Sequence, residues 1–190
     1  MALRICCIDG LIGAGKTSVL EILESKGYSV IYENLNTWSP YLEMFHKDKI
    51  RWAFALQMNC LNSLDEQVCN IRKTEKKHKG NIVFIERDIV AVSIFTKTAY
   101  ACKYINDLEY NLFEKYYKYT TGVPDLRFTI DTPISECLKR IKKRKRTGEE
   151  TIDKSYLHEL YNQYRKVESN VFFNGLNCPD HIALDIEDYV

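Results

Sequence analysis

No stretch of the 190 residues is apolar over anything near the ~20 positions that a membrane-spanning helix needs. Charge of one sign is missing too: 27 Lys and Arg stand against 26 Asp and Glu, a formal net charge of +1. That balance argues against bulk electrostatic binding to nucleic acid or a lipid surface, although a local basic patch stays open. The seven cysteines are odd in number and contain no C-x-x-C pair. A disulfide framework and a zinc site are poor fits to that usage; reduced thiols of a cytosol-like compartment fit better. No internal repeat and no low-complexity linker divides the chain, so one domain is expected. The first strand pattern begins by Leu3, which leaves no room ahead of it for a signal or transit peptide. A cytoplasmic location is therefore expected, with the nucleus left open. What the chain does have, 45% apolar and 28% charged residues, is the composition of a soluble globular protein.

The most informative stretch is Gly10-Leu11-Ile12-Gly13-Ala14-Gly15-Lys16-Thr17, followed by Ser18. It matches G-x-x-x-x-G-K-[ST] between an apolar run and a helical pattern, the context in which that motif has meaning. Glycines let the backbone curl with its N–H groups inward, forming a nest for phosphate oxygens. The helix N-terminus adds partial positive charge at the same place. Lys16 can reach the β- and γ-phosphates and Thr17 offers a hydroxyl to Mg²⁺. The loop implies a nucleoside triphosphate and leaves its use open.

Along the chain, strand-like and helix-like patterns alternate. Strands are expected at 3–9, 28–32, 81–85, 126–131 and 181–185. Helices are expected from Thr17 to before Lys26, as a short turn at 42–45, and over a long segment in which Phe54, Met58, Leu61, Leu64 and Val68 recur at helical spacing. That helix fades into a charged run ended by Gly80. Further helices are expected at 105–119, after Pro133, and at 155–170. The tally is a parallel three-layer α/β sheet of five strands, with helices on both faces and the phosphate loop after the first strand.

Such sheets deliver functional residues at the carboxyl ends of their strands. The second strand ends at Tyr32-Glu33, with Trp38 five residues on, and the third at Glu86-Arg87-Asp88. Phosphoryl transfer needs a base for the attacking hydroxyl, a metal ligand and cations for the transferring charge. Singly, Glu33 reads as a solvated acid and Glu86-Arg87 as a structural ion pair; together at two strand ends of one phosphate-loop sheet they favour function. On the long helix, Gln57 shares a face with Cys60, Leu61 and Leu64. Spacing alone favours a core hydrogen bond there over the reading of a base edge. The run Lys139 to Arg146 holds seven basic residues in eight and admits three readings: a solvated face, a nuclear-import or nucleic-acid patch, or a lid over phosphates.

Taken in order, six pieces of the chain resemble the deoxyribonucleoside kinase family, which includes the deoxycytidine, deoxyguanosine and mitochondrial thymidine kinases. They are Ile8-Asp9 with the loop through Thr17; Glu33-x4-Trp38; Arg51-Trp52-x-Phe54-x2-Gln57; Phe84-Ile-Glu-Arg87; Thr132-Pro-x3-Cys-Leu-x-Arg-Ile141 leading to Arg144-x-Arg146-x2-Glu149-Glu150; and Tyr156-Leu157-x2-Leu160 with Leu184-Asp-Ile-Glu-Asp-Tyr189. The resemblance implies a P-loop kinase fold over 1–190, with an arginine-rich lid at about 140–150. It implies ATP as donor, Mg²⁺, a deoxynucleoside acceptor and a homodimer packed through the 54–70 and 105–119 helices; from charge and the lack of a long apolar run, neither nucleic acid nor membrane is expected as a partner. It makes Glu33 the base for the sugar 5′-hydroxyl, Arg87 the residue that holds that hydroxyl, and Glu86 with Thr17 the metal pair. Lys16 and Arg140 complete the catalytic set. Trp38 walls the nucleoside pocket, Gln57 pairs with the base edge, and Glu149 contacts the 3′-hydroxyl. Arg140, Arg144 and Arg146 close over the phosphates, and Glu187, Asp188 and Tyr189 line the adenine slot.

Departures from the family pattern fall at informative places. Asn34 replaces a proline after Glu33 and is expected to loosen that turn. His46 stands where a tyrosine usually meets the 3′-hydroxyl. Leu64 and Val92 replace the arginine and aspartate of deoxycytidine-preferring members, beside the small Cys60. Two aliphatics in place of a buried ion pair change which base edge is satisfied, and the resemblance is then to thymidine-accepting members. Thymidine is the expected substrate, with deoxycytidine and other deoxynucleosides weaker. A thymidylate-type monophosphate kinase is the alternative within enzymes, and a P-loop protein binding nucleic acid through 139–146 the alternative outside them.

Overall fold

The computed structural model describes residues 2–74, 78, 81–146, 149, 152, 154–167 and 171–190. Five strands form one parallel sheet: β1 (Arg4–Gly10), β2 (Ser29–Ile31), β3 (Ile82–Glu86), β4 (Leu126–Asp131) and β5 (Val171–Asn174), in spatial order β2-β3-β1-β4-β5. Eight helices connect them: α1 (Lys16–Ser25), α2 (Leu35–Lys47), α3 (Lys49–Lys73), α4 (Ile89–Ala101), α5 (Asp107–Tyr117), α6 (Ile134–Arg144), α7 (Lys154–Tyr164) and α8 (Pro179–Glu187). The expected three-layer α/β architecture is the one observed. In β1, alternate residues serve opposite faces, as the strand period requires. Cys6 and Ile8 join Phe84, Phe128 and Ile130 under α1, α7 and α8. Ile5 and Cys7 join Val83 and Ile85 against Val68 and Ile71 of α3. Buried on both faces, the central strands read as continuous apolar runs, which is why they are visible in the sequence. Register pairs Ile8 with Glu86 and Gly10 with Ile130, so the strands end at one edge. The seven cysteines are free, and no helix among the described residues is long and apolar enough to cross a membrane.

Five elements differ from expectation. Residues 181–185 are not the last strand: they lie inside α8, where Pro179 occupies the first turn and Ile182, Ala183 and Ile186 are buried at helical spacing. The fifth strand is instead Val171–Asn174, whose buried residue is Phe173. The helix expected at 155–170 ends at Tyr164, and 168–170 fall outside the described residues. The short turn expected at 42–45 is the thirteen-residue α2, which tolerates Pro40 within it. Asn34, expected to loosen the turn, caps that helix by accepting a hydrogen bond from the Thr37 N–H at 3.4 Å. Finally, α4 is absent from the expected elements. Eight of its thirteen residues are buried, so the segment lacks a polar face and the periodicity that would reveal one.

Candidate active site

The strand edge gathers the loop, Glu33 and Glu86-Arg87 because each lies at or just beyond the end of a strand. Where β1 ends, Gly13 takes φ 81° and Gly15 φ 106°. At Gly13 a side chain is excluded twice over, since a Cβ would stand 2.7 Å from the Cys137 carbonyl oxygen. Lys16, buried at the start of α1, donates to the carbonyls of Leu11 at 3.1 Å and Gly10 at 3.5 Å, lying back along the loop. Burial and the Arg87 cation lower its pKa to about 8. Next to it the Thr17 hydroxyl donates to Glu86 Oε1 at 3.1 Å. Two hard oxygen donors thus stand side by side at the helix start. They fit Mg²⁺, which takes few protein oxygens and completes its shell from phosphate and water.

Glu33, two residues beyond β2, meets Arg87, one residue beyond β3: Arg87 Nε and Glu33 Oε1 form an ion pair 2.9 Å apart. Burial raises the Glu33 pKa above the ordinary 4.5, against the opposing pull of Arg87 and Lys16. Arg87 is held in a left-handed conformation, φ 65°, and its N–H donates to the Ile8 carbonyl at 3.2 Å. Its Nη1 donates to Asp9 Oδ1 at 2.9 Å, to the Tyr164 hydroxyl at 2.8 Å and to the Gly10 carbonyl at 3.2 Å. The guanidinium also lies over the Phe95 ring, 4.8 Å from its centroid. Behind it Arg127 pairs with both Asp9 Oδ2 and Asp88 Oδ1, and Tyr164 donates to Asp9 Oδ1 at 2.9 Å. Arg127 and Tyr164 went unremarked in the sequence, and Asp9 and Asp88 stood there only as motif residues with no role of their own. A signal existed: an arginine inside the apolar Leu126–Asp131 strand needs a buried counter-charge.

A cavity of about 390 Å³ opens from this cluster. The candidate residues Ile12, Gly13, Gly15, Lys16, Thr17, Ser18, Glu33, Trp38, His46, Gln57, Cys60, Leu64, Glu86, Arg87, Val92, Arg140, Arg144, Arg146 and Glu149 line it together. Gln57 is buried at the cavity wall, so its amide borders a space large enough for a ligand as well as the core. Phe95, Ile152 and Tyr156 also line it and were not foreseen. The basic run reaches the same mouth. Arg144 makes a bidentate pair with Glu149, and Arg146 stands 3.9 Å from it. Arg140 donates to the Ala14 carbonyl at 2.9 Å and the Gly175 carbonyl at 3.0 Å. Of the lid motif, 147, 148 and Glu150 lie outside the described residues.

Glu187, Asp188 and Tyr189 do not reach this site. Because residues 179–187 form a helix that starts near the loop edge and runs back, they arrive at the amino edge of the sheet. Glu187 pairs there with Lys26 at the end of α1, and Tyr189 packs against Phe128 and Phe173, with ring centroids 6.1 and 6.0 Å away. The segment that follows a strand into the loop edge is Asn174-Gly175, where the Gly175 N–H donates to the Asp131 carbonyl at 2.8 Å.

A phosphate nest at the carboxyl edge of a parallel sheet, with a carboxylate–arginine pair and an arginine-rich segment on one cavity, defines a P-loop phosphotransferase. The deoxynucleoside kinase family model matches residues 6–189. A probable deoxycytidine kinase of fowlpox virus is 31% identical over 166 residues, 84% of this chain and 69% of that protein. A deoxyadenosine kinase of Dictyostelium discoideum is 32% identical, over 84% of this chain and 64% of that one. Among solved structures, deoxyadenosine kinase from M. mycoides with products dCMP and dCDP shares the fold at a TM-score of 0.85, with 22% identity and 97% of each chain covered. The same enzyme with bound dCTP gives 0.83, at 21% identity over 98% of this chain and 100% of that one. The chain belongs to the deoxynucleoside kinase family and is an ATP-dependent nucleoside kinase.

Proposed function

We propose that the protein transfers the γ-phosphoryl group of ATP to the 5′-hydroxyl of a deoxynucleoside, with thymidine preferred. The observation that carries this reading is the Glu33–Arg87 ion pair, Arg87 buried and Glu33 partly so, 2.9 Å apart on the cavity that the phosphate loop enters. A phosphate acceptor would need no base, whereas a sugar hydroxyl does. Glu33, its pKa raised by burial, takes the proton as the oxygen attacks, and Arg87 holds that oxygen through the same guanidinium. Lys16 leaves the loop carbonyls for the phosphate oxygens, and Arg140, Arg144 and Arg146 supply planar donors around the transferring group. Thr17 and Glu86 would hold Mg²⁺, which when bound would neutralise charge on the phosphates.

For the acceptor, Trp38 and Phe95 wall the base, Gln57 pairs with its edge, and Cys60, Leu64 and Val92 leave an apolar recess suited to a 5-methyl group. His46 and Glu149 face the sugar, Glu149 exchanging its ion pairs for the 3′-hydroxyl. The 174–175 turn, beside Arg140, takes the adenine role expected of 187–189. Leu108, Leu112 and Tyr116, exposed at helical spacing on α5, support a homodimer through that helix. An ATP-coupled assay over the four natural deoxynucleosides and thymidine monophosphate tests the reading. Product is expected from nucleosides, thymidine first. Deoxycytidine far ahead of thymidine overturns the preference, and thymidine monophosphate as sole acceptor overturns the reaction.

A further inference from the structure

Arg87 has more work than one guanidinium performs unaided. It must offer Nε to Glu33 while its Nη1 stays engaged elsewhere, and it does so from a left-handed backbone. The nearest competitor for it is Asp9, wholly buried, whose Oδ1 already receives Arg87 Nη1 at 2.9 Å. A carboxylate with both oxygens free would draw an arginine into a two-pronged pair, and that pair would take Nε away from Glu33. Here the second oxygen is taken: Arg127 Nη2 pairs with Asp9 Oδ2, while its Nη1 pairs with Asp88 Oδ1. Asp88 in turn caps α4, accepting from the Ala91 N–H at 3.0 Å. Tyr164, the last residue of α7, closes the arrangement by accepting from Arg87 Nη1 and donating to Asp9 Oδ1.

We propose that Arg127, Asp9 and Tyr164 are positioning residues for phosphoryl transfer, acting together to keep Asp9 to a single bond with Arg87 so that Arg87 Nε stays on Glu33. This rests on the reading of Glu33 and Arg87 as the acceptor pair. None of the three lines the cavity, so their effect on the reaction travels through Arg87. Arg127 is the neutralising member. Without it, Asp9 holds an unpaired oxygen beside Arg87 in a buried site, and the two-pronged pair forms at the expense of Glu33. Tyr164 links this arrangement to α7, whose first turn places Tyr156 on the cavity wall.

The test is steady-state kinetics with thymidine and ATP on Arg127→Met, Tyr164→Phe and the double variant Asp9→Asn/Arg127→Met, each checked by thermal melting. Misplacing a catalytic group by about 1 Å costs roughly a hundredfold in turnover. That loss of kcat is expected in Arg127→Met and Tyr164→Phe, with KM for ATP within about twofold because the loop is untouched. Neutralising Asp9 in the Arg127→Met background is expected to recover much of kcat, since an amide no longer competes for Arg87. A purely structural role predicts lower melting temperatures with kcat unchanged in the folded enzyme, and that result overturns the proposal. So does a double variant slower than Arg127→Met. If Arg127→Met does not fold, Tyr164→Phe, which keeps volume and removes one hydroxyl, decides alone. Glu33→Gln run in parallel separates the readings. Full activity there defeats the base assignment, whereas its loss alongside an unaffected Tyr164→Phe defeats only the positioning role.

Discussion

Glu33 Oε1 and Arg87 Nε form an ion pair 2.9 Å apart, joining the ends of two neighbouring strands, β2 and β3. Arg87 is buried and Glu33 partly so, and desolvation lifts the Glu33 pKa above the ordinary 4.5 against the pull of Arg87 and Lys16. The acid limb of kcat/KM should therefore lie at higher pH than for a free carboxylate, with activity rising as Glu33 ionises. The stability linkage has the opposite sense. For an acid whose pKa is raised on folding, the stabilising contribution is complete below about 4.5 and is lost as pH rises through the folded value. Rate profiles, and the difference in melting temperature between wild type and Glu33→Gln over the same range, measure both. An acid limb at or below the ordinary carboxylate value contradicts the account.

At Gly13 the phosphate loop cannot accept a side chain, because φ is 81° and a Cβ would lie 2.7 Å from the Cys137 carbonyl oxygen. Gly13→Ala should force the loop off α6 and raise KM for ATP roughly tenfold or more, with KM for thymidine moving little. Nucleotide titration by fluorescence reports the first value, and coupled kinetics reports both.

The base pocket carries a specificity prediction. Cys60→Leu adds two carbons' worth of bulk to the recess formed with Leu64 and Val92. A one-methylene change in an apolar pocket discriminates by roughly 10- to 200-fold. Thymidine kcat/KM should fall by about that factor, and deoxyuridine, which lacks the 5-methyl group, should lose much less. Equal losses for both would place the methyl group elsewhere.

Tyr189 tests the corrected end of the chain. Its ring packs on Phe128 and Phe173 at the amino edge of the sheet, away from the loop. Tyr189→Ala should lower the melting temperature while leaving KM for ATP within about twofold, as expected for lost packing without lost binding. A large rise in KM for ATP would return Tyr189 to the adenine slot.

The sequence shows β1, β3 and β4 because their apolar runs are buried on both faces, and it shows the phosphate loop because that motif is local. It hides α4, which is buried on nearly all sides, and α2, which contains Pro40. It inverts β5 and α8 because a four-residue strand and a short apolar helix segment look alike without tertiary context. Glu33, Glu86 and Arg87 are visible as residues at strand ends. The Asp9–Arg87–Arg127–Tyr164 arrangement is not: its members are up to 155 positions apart, and only the fold brings them together.

The most direct test of the central claim is the single-turnover rate of thymidine phosphorylation by Glu33→Gln with saturating ATP and Mg²⁺. Loss of a general base costs roughly 10²- to 10⁴-fold, and a fall of that size is predicted, with thymidine affinity retained. A Glu33→Gln enzyme that keeps most of the wild-type rate would contradict the account, because no base would then be needed where Glu33 stands.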